Sequence, residues 1–125
     1  MTNTNAPVAT EISPEDTEQI VLLAIWGSYD TDSYNEYYAR SQGLPKEQAQ
    51  EVLFSTLAKS IAARKDWEFN LHLVHHSADG SPYFEVWVFR PEDYDPHVGT
   101  DNDLADALLS AYARALEAPE MQEAA

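Results

Sequence analysis

The side chains best suited to chemistry in this sequence are its four histidines. His72 and His76 lie on the same side of a predicted strand and His75 on the other, because side chains alternate along a strand. At about 3.3 Å per residue, His72 and His76 are roughly 13 Å apart, too far to bind one metal ion together. The remaining candidate for a metal site is His97 together with an acid from residues 92–95. The chain has no cysteine, which excludes thiolate zinc sites. We therefore predict neither a metal nor a cofactor.

The sequence also lacks recognisable catalytic patterns. Ser28, Ser77 and Ser81 are not set in the Gly-x-Ser-x-Gly sequence of a hydrolase nucleophile. The four glycines are isolated, so no phosphate-binding or dinucleotide-binding loop is present. In an enzyme, His72 or His97 would have to serve as the general base. We expect a non-enzymatic protein and keep a small enzyme as the third hypothesis.

Negative charge is the most unusual property of the chain. It has 22 acidic and 7 basic residues, for a formal net charge of −15. The bases are concentrated in residues 39–65, whereas residues 66–125 carry 13 acids and two arginines. Phosphate repulsion would oppose direct binding of nucleic acid, so we expect a basic protein partner, such as a nucleic-acid-binding protein. The alternative is that the charge only keeps the protein in solution or reflects a salt-rich host.

A run of six carboxylates near the C-terminus is the first candidate binding surface. Neighbouring carboxylates on a helix are about 5–6 Å apart, comparable to successive phosphates along a nucleic-acid strand. The group could therefore imitate a nucleic-acid backbone. Alternatively, Asp101 and Asp103 are ordinary acids at a helix start. The residues are Glu92, Asp93, Asp95, Asp101, Asp103 and Asp106, with Tyr94 between them.

A second candidate surface combines tyrosines with acids between residues 29 and 38. Tyrosine rings are good contact anchors because they bury a large area at a small entropy cost. Three tyrosines at helical spacing could equally face the core. The residues are Tyr29, Asp30, Asp32, Tyr34, Glu36, Tyr37 and Tyr38.

A β-hairpin over residues 67–90 is the clearest predicted element. Asp79-Gly80 between two apolar runs favours a two-residue turn. This register sets His72 opposite Trp87 and Asn70 opposite Phe89. Side-chain alternation then gives one aliphatic core face and a second face that mixes His72, Trp87 and Phe89 with polar residues. We predict that this mixed face is covered by the N-terminal arm, the last helix, a second copy of the chain or another partner.

The remaining elements complete a predicted α+β domain of order β-α-α-β-β-α over residues 18–118. The apolar run 20–26 predicts a first strand that spans residues 18–29 and belongs to a sheet of at least three strands. Capping patterns predict helices from Ser33, from Pro45 and from Thr100, with the two central helices packed on the core face of the sheet. The segment 91–99 is expected to be a loop. We expect residues 1–17 to be a flexible arm and residues 119–125 a flexible tail.

Two functions are consistent with these patterns. The first is a non-enzymatic inhibitor that occludes the basic surface of a nucleic-acid-handling protein, as anti-CRISPR, anti-restriction or immunity proteins do. The alternative is a homodimeric chaperone or adaptor that binds a client through the mixed sheet face. The sequence shows neither a secretory signal nor a membrane-length apolar run, so we expect a cytoplasmic protein without membrane contact.

Overall fold

The computed structural model describes residues 14–119. Within them the chain forms four α-helices and a three-stranded antiparallel sheet, which confirms the α+β class. The elements are α1 (Pro14–Tyr29), α2 (Thr31–Ser41), α3 (Lys46–Ala62), β1 (Glu68–His75), β2 (Pro82–Phe89), β3 (His97–Asp101) and α4 (Leu104–Glu117). The observed order, α-α-α-β-β-β-α, differs from the predicted one at the first element and after the hairpin.

The hairpin of β1 and β2 is present, but its register differs from the prediction by two residues. His72 pairs with Glu85 and Asn70 with Trp87. The turn is longer than predicted, because the His76 amide donates to the Ser81 carbonyl at 2.8 Å and residues 77–80 form the loop. A shift of two residues leaves every side chain on the face predicted for it, since the strand period is two. The sorting of the two faces is therefore confirmed although the pairs are wrong.

The third strand of the sheet is β3, in a segment predicted to be a loop. It pairs antiparallel with β2, so the strand order is β1-β2-β3. Gly99 lies in its middle, where β3 runs directly against α4. A Cβ at this position would come within 2.5 Å of the Ala107 carbonyl oxygen and of the Ala111 amide nitrogen. Glycine is therefore needed here for close approach, although it is rare inside strands.

Residues 18–29 form a helix, so the predicted first strand is wrong. In α1 the side chain of Trp26 is fully buried, whereas Ile20 and Val21 are 53% and 52% exposed. A short apolar run fits a helix as well as a strand, and periodicity alone does not separate them. Pro14–Thr17, predicted as part of the arm, belong to α1. The rest of the predicted arm, residues 1–13, and residues 120–125 of the predicted tail lie outside the described residues.

Helix α4 is the centre of the molecule. It packs on β2 and β3 with one side, and α1 and α3 pack against its other sides. The central helix pair therefore does not lie on the sheet as predicted; the last helix takes that position. Because α4 is enclosed, ten of its 14 residues are buried, and small side chains such as Ala107 and Ala111 allow its neighbours to approach closely. Helix α2 completes the fold by packing on α1 and α3.

Candidate functional site

The side of the sheet that faces away from α4 is covered by no element of residues 14–119. We call it the open face. It combines the mixed side of the hairpin with two residues of β3, since Trp87 pairs with Val98 and Glu85 with Thr100. Its strand residues are Glu68, Asn70, His72, Val74, Tyr83, Glu85, Trp87, Phe89, Val98 and Thr100.

Aromatic rings dominate the open face and support one another. The ring of Trp87 lies 4.6 Å from that of His72 and 6.3 Å from that of Phe89, measured between centroids. The Trp87 indole N–H donates to a Glu85 carboxylate oxygen at 3.0 Å. Near the hairpin loop, His76 stacks on Tyr83 at 4.4 Å. Most of these rings are half-buried by contact with one another, although no other element covers them. Because the rings hold each other in place, they form a preorganised apolar surface with polar edges.

The open face has negative charge and no positive charge. Glu68 and Glu85 are its carboxylates, and none of its strand residues is a lysine or arginine. Six of the seven basic residues of the chain lie in α2, α3, α4 or the connection after α3. The seventh, Arg90, follows β2 directly, but its side chain is buried and held by Asp93. Of the lysines and arginines, Lys46 borders the open face, because it lines a cleft together with Tyr83 and Thr100 at the edge of that face.

Asp93, predicted as a binding residue, lies in an internal cluster. The guanidinium of Arg90 donates to both of its carboxylate oxygens, at 2.5 and 3.0 Å, and His97 Nε2 lies 2.6 Å from it. Hydrogen bonds from Arg90, and then from His97, lower the pKa of Asp93 despite the opposing effect of burial. Arg90 also donates to the carbonyls of Ala115, Ala118 and Pro119. Arg90 and Asp93 therefore fasten the end of α4 to the sheet.

Asp103 and Asp106 accept hydrogen bonds at the start of α4 and are not part of a freely exposed surface. Asp103 is its N-cap and accepts hydrogen bonds from the amides of Ala105 and Asp106, as well as from Gln50 at 2.8 Å. Asp106 accepts a hydrogen bond from Gln19 at 2.7 Å. Burial raises the pKa of Asp106, and the negative charges of Asp103 and Asp101 add to that effect. The predicted helix start at Thr100 is wrong, because Thr100 and Asp101 belong to β3 and the N-cap is Asp103. Asp103 is thus an acid at a helix start, as the alternative proposed, whereas Asp101 is not in the helix.

The six carboxylates do not form one continuous rim. Asp93 contacts His97 at one end of β3, whereas Asp101 is at the other end, roughly 13 Å along the strand. Glu92, Tyr94 and Asp95 are all exposed in the β2–β3 connection, and Tyr94 is 91% exposed. At the opposite end, a cleft of about 780 Å³ is lined by residues that include Glu18, Lys46, His76, Asp101, Asp103 and Asp106.

The tyrosines of the second predicted surface divide between packing and exposure. Tyr34 and Tyr37 pack around the buried Trp26, with ring centroids 5.9 and 5.8 Å away. Burial raises the pKa of Tyr37. Tyr29 and Tyr38 remain 52% and 56% exposed. Tyr34 and Tyr37 therefore face the core, as the alternative proposed. Of the acids, Asp32 is exposed. Glu36 forms ion pairs with Arg40 and Lys59.

Asp30 belongs to a chain of hydrogen bonds between helices, which the sequence analysis missed. Ser60 donates to Asp30, the Tyr112 hydroxyl lies 2.8 Å from Ser60, and Arg64 donates to that hydroxyl at 2.8 Å. Trp26 also donates to Ser60 at 3.3 Å. Burial opposes ionisation of Asp30, but hydrogen bonds from Ser60 and Ser33 and the charge of Arg64 lower its pKa. The available signal was the presence of two hydroxyl groups, on Ser60 and Tyr112, among the apolar residues of their helices.

The histidines do not meet in one place. Within residues 14–119, no three His, Asp or Glu side chains are grouped as a metal ion would require. His97 is adjacent to Asp93, the pair that the sequence left open, but Arg90 occupies the same carboxylate. Nε2 of His72 is shielded from solvent and has no hydrogen-bond partner in this part of the chain.

None of the four helices in the described part of the chain is long and apolar enough to cross a membrane. Comparisons with protein-family models, curated proteins and solved structures found no match to the chain.

Proposed function

We propose that this protein is a non-enzymatic acidic binding protein that holds a basic protein partner on its open face and inhibits it by occlusion. The observation that carries the proposal is the uncovered aromatic cluster of His72, Trp87 and Phe89. Large rigid rings at the centre of a surface are typical anchors of protein interfaces. Among the described residues, no helix or loop of the chain packs on these rings.

Charge supports a basic partner rather than a neutral one. Glu68 and Glu85 lie beside the aromatic cluster, and the whole chain carries a net charge of −15. Complementary potentials accelerate association and orient the partner, and they weaken as salt rises. Extended cationic surfaces are characteristic of proteins that bind nucleic acid, so a nucleic-acid-handling protein is the proposed partner class. A cytoplasmic location is part of this proposal.

The homodimeric alternative for this same face is less favourable. Two copies placed face to face would enclose four carboxylates, those of Glu68 and Glu85 from each chain, with no lysine or arginine among the strand residues of either face. Like charges in an interface cost free energy unless a cation separates them. We therefore assign the open face to a basic partner.

An affinity pull-down with a matched pair of variants tests this proposal. The tagged full chain is incubated with nuclease-treated lysate of its host at low and high salt, in parallel with Trp87→Ser and Tyr94→Ser. Trp87 is at the centre of the open face, whereas Tyr94 is a highly exposed aromatic residue that lies outside that face. We expect a basic protein that is recovered at low salt, released at high salt, reduced at least tenfold by Trp87→Ser and unchanged by Tyr94→Ser.

The recovered protein is then assayed for its own nucleic-acid binding with and without the acidic chain. Competition between the chain and nucleic acid supports occlusion. Equal recovery with both serine variants, when circular dichroism shows that both are folded, would contradict the assignment to the open face. A partner that is acidic, or that stays bound at high salt, would contradict the electrostatic part.

A further inference from the structure

Strand β1 forms an edge of the sheet without the features that usually protect such edges. The strand order β1-β2-β3 leaves one side of β1 unpaired among residues 14–119. Its eight residues pair with β2 in an unbroken register, so it contains no bulge. Natural edge strands are commonly protected by shortness, proline, lysine or a bulge, and β1 has none of these. The opposite edge, β3, has only five residues and ends at Asp101.

The backbone groups that β1 directs outward follow from its pairing. The His76 amide donates to the Ser81 carbonyl, which places the even-numbered residues of β1 in hydrogen bonds to β2. Antiparallel ladders alternate, so the odd-numbered residues direct their N–H and C=O groups away from β2. These residues are Phe69, Leu71, Leu73 and His75.

Apolar side chains accompany this free edge. Leu71 is 44% and Leu73 is 59% exposed, and no residue of β1 is buried. By contrast, Val86 and Val88 of β2 are fully buried beneath α4. Helix α4 covers β2 and β3, and Phe69 of β1 contacts Phe54 of α3 with ring centroids 6.5 Å apart. The rest of the apolar side of β1, Leu71 and Leu73, extends beyond the helices and is uncovered.

We propose that two copies of this chain pair antiparallel through β1 and form one continuous six-stranded sheet. A two-fold axis at His72 is the register that uses all four outward-facing residues. It sets Leu71 opposite Leu73 of the second copy and Phe69 opposite His75. It also sets Glu68, the sole acid in β1, opposite His76 of the second copy. The edge is thus complementary to itself in backbone and apolar side chains, and this register sets no two carboxylates opposite each other.

A second copy fits this edge better than a strongly basic peptide does. The chain is highly acidic as a whole, but β1 carries one carboxylate in eight residues. Two copies can therefore meet here with less repulsion than at the acid-rich connections on either side of β3. Pairing at this edge leaves both open faces free on the same side of the joined sheet, so this inference is independent of the proposed function.

Sedimentation of the purified full chain tests the pairing without any partner. We expect a concentration-dependent dimer of twice the 14.0 kDa chain mass, stronger at high salt because salt screens the repulsion between two acidic chains. Leu73→Lys should raise the dissociation constant at least tenfold, since lysine is a natural protector of edges. Ile20→Lys, at an aliphatic residue of α1 with similar exposure, is the matched control and should leave it unchanged.

Single cysteines test the register, because the natural chain has none. Residue 72 lies opposite itself in the proposed dimer, in a non-hydrogen-bonded pair with Cα atoms about 4.5 Å apart, within the range of a disulfide. His72→Cys should therefore oxidise to a covalent dimer. Thr100→Cys, on β3, is the control and should remain monomeric under the same conditions.

Three outcomes would overturn the proposal. One is a wild-type chain that stays monomeric at both salt concentrations. Another is a dimer that Leu73→Lys and Ile20→Lys, both folded by circular dichroism, weaken equally. The third is hydrogen exchange showing that residues 1–13 protect the β1 amides in a monomer, with the protection lost when those residues are deleted, which would assign the edge to the chain's own N-terminal segment.

Discussion

At the scale of single residues, Ser60 is the centre of the buried polar contacts. Its hydroxyl donates to Asp30 and lies within hydrogen-bond distance of Trp26 and Tyr112. Ser60→Ala would leave these groups without their common partner, one of them a carboxylate. We expect a loss of about 2–3 kcal/mol in the free energy of unfolding, measured in urea by tryptophan fluorescence.

Ser55→Ala provides the matched control for Ser60→Ala. Ser55 is in the same helix, is exposed, and its hydroxyl donates to the Val52 carbonyl of the preceding turn. Its replacement should change the free energy of unfolding by less than about 0.5 kcal/mol. Equal effects of the two substitutions would show that the hydrogen bonds of Ser60 contribute little to stability.

The pKa of Asp106 is raised, whereas the pKa values of the other shifted aspartates, Asp30, Asp79 and Asp93, are lowered. Asp106 should therefore affect stability with the opposite pH dependence. Because burial raises its pKa, the folded chain holds this proton to a higher pH than the unfolded chain does. Ionisation of Asp106 therefore lowers the free energy of unfolding as the pH rises from the ordinary carboxyl pKa through the raised pKa of the folded chain. We expect Asp106→Asn to gain stability relative to the wild type across this window and to keep the gain above it.

Urea unfolding at a series of pH values measures this effect. The amide oxygen of the substituted side chain can still accept the hydrogen bond from Gln19, so the comparison isolates the charge. Asp95→Asn, at an exposed site in the β2–β3 connection, is the control. A stability difference between Asp106→Asn and the wild type that does not vary with pH would contradict the prediction.

The residue-scale contacts could be predicted only in part. Alternation along the hairpin assigned His72, Trp87 and Phe89 to one face correctly, because a two-residue slip does not change the face. The pairs themselves depended on the loop length, and Asp79-Gly80 is equally compatible with a longer loop. Partners such as Asp30 and Ser60 are 30 residues apart in the chain and meet only through helix packing.

At the scale of elements, the contact between β3 and α4 depends on Gly99. A methyl group there would lie 2.5 Å from backbone atoms of Ala107 and Ala111, which cannot rotate away as a side chain can. Gly99→Ala should therefore separate β3 from α4 and cost about 1–3 kcal/mol of unfolding free energy. Thr100→Ala, at the next and exposed position, should cost less than about 1 kcal/mol, as is usual for surface positions. Similar unfolding midpoints in urea for both variants would contradict this packing argument.

Some elements were predicted correctly from the sequence and others were not, and the reason differs from one element to the next. The helix predicted from Pro45 is present as α3, and its Leu53, Leu57 and Ile61 are buried. Strand β3 was missed because glycine and polar residues are unusual in strands, while here β2 and α4 impose the extended conformation. Helix α1 was missed because its apolar run has no period, although Pro14 followed by two acids is a typical helix start.

At the scale of the whole molecule, the charge distribution makes salt the most informative variable. Partner binding on the open face should weaken with salt, whereas pairing through β1 should strengthen. The isolated fold should also gain stability, because a net charge of −15 repels itself in the compact state. We expect the melting temperature to rise by several degrees between about 0.01 and 1 M NaCl, as the screening length falls from about 30 to about 3 Å.

Pairing through β1 could produce the same rise, and the Leu73→Lys variant separates the two causes. In that variant the increase with salt should persist and be independent of protein concentration, since each chain still carries its own excess of acids. A variant with Glu92→Gln, Asp95→Asn and Asp101→Asn should show a smaller increase, because three exposed charges are removed. If the melting temperature of Leu73→Lys does not change with salt, self-repulsion within one chain is too weak to affect its stability, and the acidic surface then acts only between molecules.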